Sequence, residues 1–238
     1  MAVRFVAVGE LLVDVIAAGA GHDARIRVRP AGSAFNAAIA AKAAGAEVTV
    51  IGTVGDDPAG RMITRELEQR EIRPVLTVLA GRTGTFLLDE SGPRVDPGDS
   101  HKLGLLGPVL GDVVLVSGHL PQAADVLRLA DGTFVALDAA RLRELPPGGN
   151  AVIANDAWEG RLDELARGRR LACVTLGARG AVAILDGRVE EVAPPRTLPD
   201  APGSGDAFAA TLLVALGQGD DLAGAMARAT RAALDSLA

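Results

Sequence analysis

Asp200-Ala201-Pro202-Gly203-Ser204-Gly205-Asp206-Ala207-Phe208 runs straight into an apolar stretch that the pattern predicts as a helix over Gly205–Leu216. Glycines at 203 and 205 let the backbone turn tightly and bring bare N–H groups to the helix start. Those amides and the positive end of the helix dipole favour an anion there. Asp206, inside the same turn, suits a base that takes a proton from a hydroxyl while the turn holds a phosphoryl group. A plain glycine turn with Asp206 in the first helical turn also accounts for the segment. Both readings stand on these residues alone.

Upstream of that turn, short apolar strands alternate with helix-like stretches. Strands are predicted at Val3–Val8, Val48–Thr53, Val75–Leu79, Thr85–Leu88, Val113–Ser117, Phe134–Asp138, Ala151–Asn155 and Leu171–Leu176. Between them Ser33–Ala44, Pro58–Glu71, Gln122–Ala130 and Leu162–Arg169 read as helices, and Asp221–Leu237 closes the chain as another. Val182–Leu185 and Val189–Val192 pair as a hairpin through Asp186-Gly187. The alternation predicts an α/β fold around a mainly parallel sheet. Two places break it. Arg25-Ile26-Arg27-Val28-Arg29 alternates strictly, as a half-exposed strand does, and Thr83–Val95 reads as two short strands joined near Glu90-Ser91-Gly92. Together they predict a small β lid drawn from residues 11–29 and 77–98. No internal repeat, charge block or long linker interrupts the sequence, so residues 1–238 are expected to form one domain.

Composition narrows the function classes. Hydrophobic residues are 49% and charged residues 23%, so a packed core is expected and disorder is not. Aromatics are only 3%, with no tyrosine, and the net charge is −6, which argue against nucleic acid and anionic membrane as partners. Glu10 and Asp14 interrupt the apolar start, which therefore reads as a buried first strand and not as a leader. No apolar run approaches the roughly 18 residues of a membrane span. The single cysteine, Cys173, can form neither an internal disulfide nor, alone, a zinc site, and a reducing cytoplasm is the expected location. Neither Lys42 nor Lys102 follows a glycine, so a P-loop is absent. No G-x-G-x-x-G follows a strand, no G-x-S-x-G occurs, and His22, His101 and His119 lack metal-ligand spacing.

Five segments, in order along the chain, carry a family resemblance. Gly9-Glu10-Leu11-Leu12-Val13-Asp14 looks like the opening of a sugar kinase, and Ala31-Gly32-Ser33-Ala34-Phe35-Asn36 is similar to a glycine–asparagine signature. Gly52-Thr53-Val54-Gly55-Asp56-Asp57-Pro58-Ala59-Gly60-Arg61 is nearly a consensus, and Val174-Thr175-Leu176-Gly177-Ala178-Arg179-Gly180 matches a nucleotide-site strand and loop. Asp200–Asp206 resembles D-T-x-G-A-G-D, with Ala201 and Ser204 as departures. On these residues the chain resembles the ribokinase-like, or PfkB, family of carbohydrate and nucleoside kinases. The resemblance implies a three-layer αβα sandwich with a β lid, phosphoryl transfer from ATP with Mg2+, and a K+ site as a further expectation. It implies Asp206 as catalytic base and the amides of Gly203, Ser204 and Gly205 as an anion hole. Asp14, Gly32, Ser33 and Asn36 would hold the sugar hydroxyls, and Arg94 an acidic group on the sugar. Asn155, Thr175, Gly177 and Gly180 would shape the nucleotide site. Such lids often carry a dimer contact, so a homodimer is expected. Read without the resemblance, Asp14 is a loop acid and Asn36 a helix-start residue.

Three departures qualify the match. Asn155-Asp156-Ala157-Trp158-Glu159 puts tryptophan where the family has the glutamate that organises magnesium, leaving Glu159 one residue late as an indirect metal residue. Asn155 and Thr175 are only 20 positions apart, so an element between them is expected to be trimmed. The sequence stops at Ala238, and the adenine pocket and cation site are expected to be shortened. The opening segment favours a fructose- or 2-keto-3-deoxygluconate-like acceptor. The alternatives are a degenerate relative that binds sugar or nucleotide without turnover, and a nucleoside kinase.

Overall fold

The computed structural model describes residues 2–19, 23, 25–104, 107–139, 142–193 and 203–236 of the chain. It begins with β1 (Arg4–Val8), β2 (Leu12–Ala18), β3 (Arg25–Ala31), α1 (Ser33–Ala43), β4 (Glu47–Gly55), α2 (Pro58–Gln69) and β5 (Arg73–Leu79). There follow β6 (Gly84–Asp89), β7 (Gly92–Asp96), β8 (Val109–Leu110), β9 (Val113–Ser117), α3 (Ala123–Leu129), β10 (Ala130–Asp131) and β11 (Phe134–Asp138). Last come β12 (Ala151–Ala154), α4 (Leu162–Ala166), β13 (Leu171–Thr175), β14 (Ala181–Leu185), β15 (Arg188–Val192), α5 (Ser204–Gly217) and α6 (Leu222–Asp235).

Nine strands form one sheet in the order β15-β14-β13-β12-β11-β9-β1-β4-β5. The seven from β13 to β5 are parallel, and β14 runs antiparallel to both of its neighbours. Central strands such as Val113-Val114-Leu115-Val116 are buried on both faces, which is why they read as unbroken apolar runs. One face packs against α1, α2, α5 and α6. The other packs against α3, α4 and the buried ring of Trp158. This is the expected αβα sandwich. α5 is its central helix, buried from Ala207 to Leu216 against β9, β11, α1 and α6. Ala37, Ala38 and Ala41 of α1 are small enough to let the two helices approach closely.

Most predicted elements recur with shifted ends, and the shifts have physical reasons. β5 starts at Arg73 and takes in Pro74, which an edge strand tolerates because one side of it needs no ladder donor. The helix expected over Leu162–Arg169 ends at Ala166, followed by Gly168 at a φ of 70°. β8 and β10, two residues each, pair with one another and are too short for any period to announce them.

A second sheet has the order β3-β2-β6-β7. Its β2–β3 and β6–β7 pairs are antiparallel and its β2–β6 pair is parallel. The alternation in β3 leads one to expect a covered apolar face, yet Ile26 is 67% and Val28 46% exposed. Alternation reports that a strand has two faces and says nothing of what covers them. Asp57 ties this sheet to the body. It caps α2 by accepting from the Gly60 amide at 2.7 Å, and accepts from the Thr83 amide and hydroxyl at 2.8 and 2.7 Å, just before β6. Asp57→Ala removes the cap and leaves the Thr83 donors unpaired. The expected loss is about 1–2 kcal/mol in urea unfolding.

Candidate active site

α1 and α5 start beside one another, and the site is built where they do. Gly32 precedes α1 at a φ of 103°, and a Cβ there would lie 2.4 Å from the Glu10 carbonyl oxygen. Only glycine fits that position. Gly203 precedes α5 in the left-handed region at a φ of 92°, and a Cβ there would lie 3.1 Å from the Asn36 amide nitrogen. Gly205, by contrast, has open space where a side chain would project, so the first turn of α5 is open to a ligand.

Asp206 stands in that first turn, and its Oδ2 accepts from Asn36 Nδ2 at 2.9 Å. Burial pushes its carboxyl up to about 8; Asp138 adds to the rise, the Asn36 bond opposes it, and Glu10 adds a smaller rise. Asp138 and Asp206 line one small cavity with Ser33 and Ser117. Glu10 Oε2 accepts from Ser33 Oγ at 3.0 Å and from Ser117 Oγ at 2.9 Å. Gly32, Ser33 and Asn36 are therefore gathered against the turn that carries Gly203, Ser204, Gly205 and Asp206. The sequence does not single out Glu10 or Asp138 as site residues, although Glu10 lies in a quoted motif and Asp138 ends a predicted strand. Their partners come from distant parts of the chain, 107 positions away for Glu10 and Ser117.

Asp14 is buried in β2, where its Oδ2 accepts from Arg29 Nε and Nη2 at 3.1 and 3.0 Å. Burial raises its carboxyl above the usual range, against the pull of Arg29. Arg29 is a site neighbour that sequence reasoning did not single out, because only the β2–β3 register sets it opposite Asp14. Arg94 is not brought to that face. The ladder pairs Asp14 with Phe86 and Phe86 with Val95, whereas Arg94 pairs with Leu87, one residue out of phase. Arg94 thus points to the other side of the small sheet, where it is held by Asp89.

Asn155, Thr175, Gly177 and Gly180 cluster at the ends of β12 and β13. Asn155 accepts from the Ala157 amide at 3.2 Å, and Thr175 Oγ1 donates to the Ala154 carbonyl at 3.2 Å. Glu159 is taken up by Arg179 through two bonds of 2.6 and 2.7 Å, which holds its carboxyl below the usual range. Trp158 is buried and donates Nε1–H to the Leu142 carbonyl at 2.9 Å. A cleft of about 510 Å³ opens beside this cluster, lined by Glu159, Leu162, Leu176, Arg179, Val182 and Glu191. Among the described residues no group of three or more His, Cys, Asp or Glu could hold a metal ion. Cys173 is buried in β13, where burial pushes its thiol up to about 12. Asp200, Ala201 and Pro202 of the signature, with His22, lie outside the described residues.

The raised Asp206 carboxyl has a thermodynamic consequence. Its folded-state value is about 8 against 3.8 for an unperturbed group, so between these pH values the folded state keeps a proton that the unfolded state has lost. Stability from this group is complete below about pH 4 and is lost as the pH rises through about 8. Urea unfolding from pH 5 to 9 is therefore expected to show a downward slope in the parent that is reduced in Asp206→Asn.

A family model described as pfkB family carbohydrate kinase matches residues 3–95 and 155–234. A fructosamine kinase of Bacillus subtilis (strain 168) is 26% identical over 260 aligned positions, covering 97% of this chain and 89% of the relative. Ribokinase from Thermotoga maritima superposes with a TM-score of 0.84 at 18% identity, covering 98% of this chain and 92% of that one. Fructokinase from Vibrio cholerae, solved with fructose, ADP and calcium ion, superposes at 0.74 with 21% identity, covering 97% and 90%. At such identities the two structures speak for the fold alone. Joined to a family match that spans most of the sequence, they leave one conclusion: the chain belongs to the pfkB family of carbohydrate kinases, phosphotransferases whose acceptor is a sugar.

Proposed function

We propose that the chain transfers the γ-phosphoryl group of ATP to a hydroxyl of a fructose- or 2-keto-3-deoxygluconate-like sugar, with Asp206 as the base. The observation that carries this reading is the place of Asp206. It sits in the open first turn of α5 and is bonded at 2.9 Å to Asn36 of a second helix start. A hydroxyl held by Asn36 and by the remaining oxygen of Asp14 would lie within reach of Asp206. Asn36 can both donate and accept, which suits a sugar hydroxyl. Arg29 occupies only Oδ2 of Asp14.

The turn Gly203–Gly205 would face the transferred group with helix-terminal amides, where a low-dielectric site makes aimed dipoles effective. Bound Mg–ATP supplies the phosphoryl group and a metal charge that offsets its negative oxygens. Magnesium commonly reaches such sites on the nucleotide phosphates and needs few protein ligands. Asn155, Thr175, Gly177 and Gly180 would contact the nucleotide. The small sheet would close over the acceptor and exclude water that could otherwise take the phosphoryl group. One observation favours the second reading, binding without turnover: Glu159, the nearest stand-in for the family glutamate, is already held by Arg179. We also propose that two copies meet through the small sheet, because Ile26 and Val28 present an uncovered apolar face.

The first test is ADP formation with ATP and magnesium across fructose, 2-keto-3-deoxygluconate, ribose and adenosine. Turnover with one acceptor is expected. Sugar binding without turnover by any of the four would favour the second reading. Asp206→Asn is expected to lower kcat by about 10²–10⁴-fold with sugar affinity little changed. Because the base acts ionised, kcat/KM should climb about tenfold per pH unit below the Asp206 value and level off near pH 8. Light scattering should return twice the chain mass for the parent and the single-chain mass for Ile26→Asp with Val28→Asp.

A further inference from the structure

Beneath Asp206 lies a polar arrangement whose Glu10 and Ser117 the proposed chemistry leaves unused. Three segments meet there: the turn between β1 and β2 with Glu10, the start of α1 with Ser33 and Asn36, and the end of β9 with Ser117. A single oxygen of Glu10 accepts both serine hydroxyls, at 3.0 and 2.9 Å, and Ser117 Oγ in turn accepts from the His119 amide at 3.2 Å. The other Glu10 oxygen has no hydrogen bond among the described residues. Among the described residues, the charged or titratable groups that face Asp206 are Asp138 from the end of β11 and Glu10. The start of α1 and the end of β9 contribute only neutral groups, and His119 is exposed. Among the described residues lining the shared cavity there is no cation.

A structural role alone does not call for a charge here. Two serine hydroxyls can be joined by a neutral acceptor, and a half-buried carboxylate without a cation costs free energy. Its charge acts on its neighbours, and Asp206 shares the cavity lined by the two serines that Glu10 holds. We infer that Glu10 is a positioning residue of the phosphoryl transfer, locking the start of α1, and with it Asn36, to the end of β9 beneath Asp206 while loading negative charge beside that base. This inference rests on the reading of Asp206 as base. Glu10 does two separable things. Its hydrogen bonds fix where the Asn36 amide can sit, and so how Asp206 is aimed. Its charge makes Asp206 a stronger base, because giving up the proton beside another anion is unfavourable.

Two substitutions separate the roles. Glu10→Gln keeps an acceptor and removes the charge, whereas Glu10→Asp keeps the charge on an arm one methylene shorter that cannot reach both serines. The full chain, labelled with 13C at aspartate carboxyls, is titrated by NMR from pH 5 to 10, with the Asp206 signal assigned by its loss in Asp206→Asn. The midpoint of Asp206 is expected to fall by about one unit in Glu10→Gln and to stay near the parent value in Glu10→Asp. In kinetics the pH at which kcat/KM levels off should follow that midpoint in Glu10→Gln. Glu10→Asp should lose about tenfold in kcat at every pH, with the KM for ATP unchanged. An unmoved midpoint in Glu10→Gln overturns the charge role. Parental kcat in Glu10→Asp, or a loss in either variant that merely tracks reduced thermal stability, overturns the positioning role. A parent without turnover on any acceptor counts against the kinase reading, and the titration then still decides whether Glu10 acts on Asp206.

Discussion

From Ala207 to Leu216 every side chain of α5 is buried, between the sheet on one side and α1 and α6 on the others. A helix enclosed in this way cannot slide or roll without opening voids along its whole length, and voids in a close-packed interior are costly. Its first turn is therefore held fixed by the core. What that turn carries, Gly203 through Asp206, inherits the rigidity of the sandwich although it stands at the sandwich's edge. The alanines of α1 complete the constraint by letting the second helix lie close enough for Asn36 to reach Asp206.

That position is paid for in electrostatics. Among the described residues Asp206 has two carboxylates as charged neighbours and accepts from the neutral amide of Asn36, so its proton is held far more tightly than in water. The core supplies the rigidity that keeps such an unfavourable cluster together, and the cluster supplies the proton affinity that the base proposed for this site needs near neutral pH. Asp14 is the milder case. It too is buried, but Arg29 stands against it and offsets part of the cost.

The small sheet follows a different balance. It is joined to the body through β2, through β3 leading into α1, and through the Asp57 bonds at Thr83. Apolar residues on it, Ile26, Val28 and Val95, remain exposed. Few of its side chains are enclosed, so its contacts are set by what it meets and not by its own core.

The sequence by itself determined the order of the strands and helices, the parallel character of the sheet and the glycine turn at the start of α5. Those features are local, written in periods of two and 3.6 residues and in the special backbone of glycine, and they need no distant partner to be read. The small sheet was legible from Arg25–Arg29 and Thr83–Val95 for the same reason, whereas β8 and β10 were too short to show any period. Only the tertiary structure decided which charges meet. Glu10 with Ser117, Asn36 with Asp206, Asp14 with Arg29 and Glu159 with Arg179 are pairings between different elements. Arg94 was separated from Asp14 by a single step of strand register. A hydrogen bond or an ion pair depends on a few ångströms in space, and no local pattern records how far packing will bring two distant residues together.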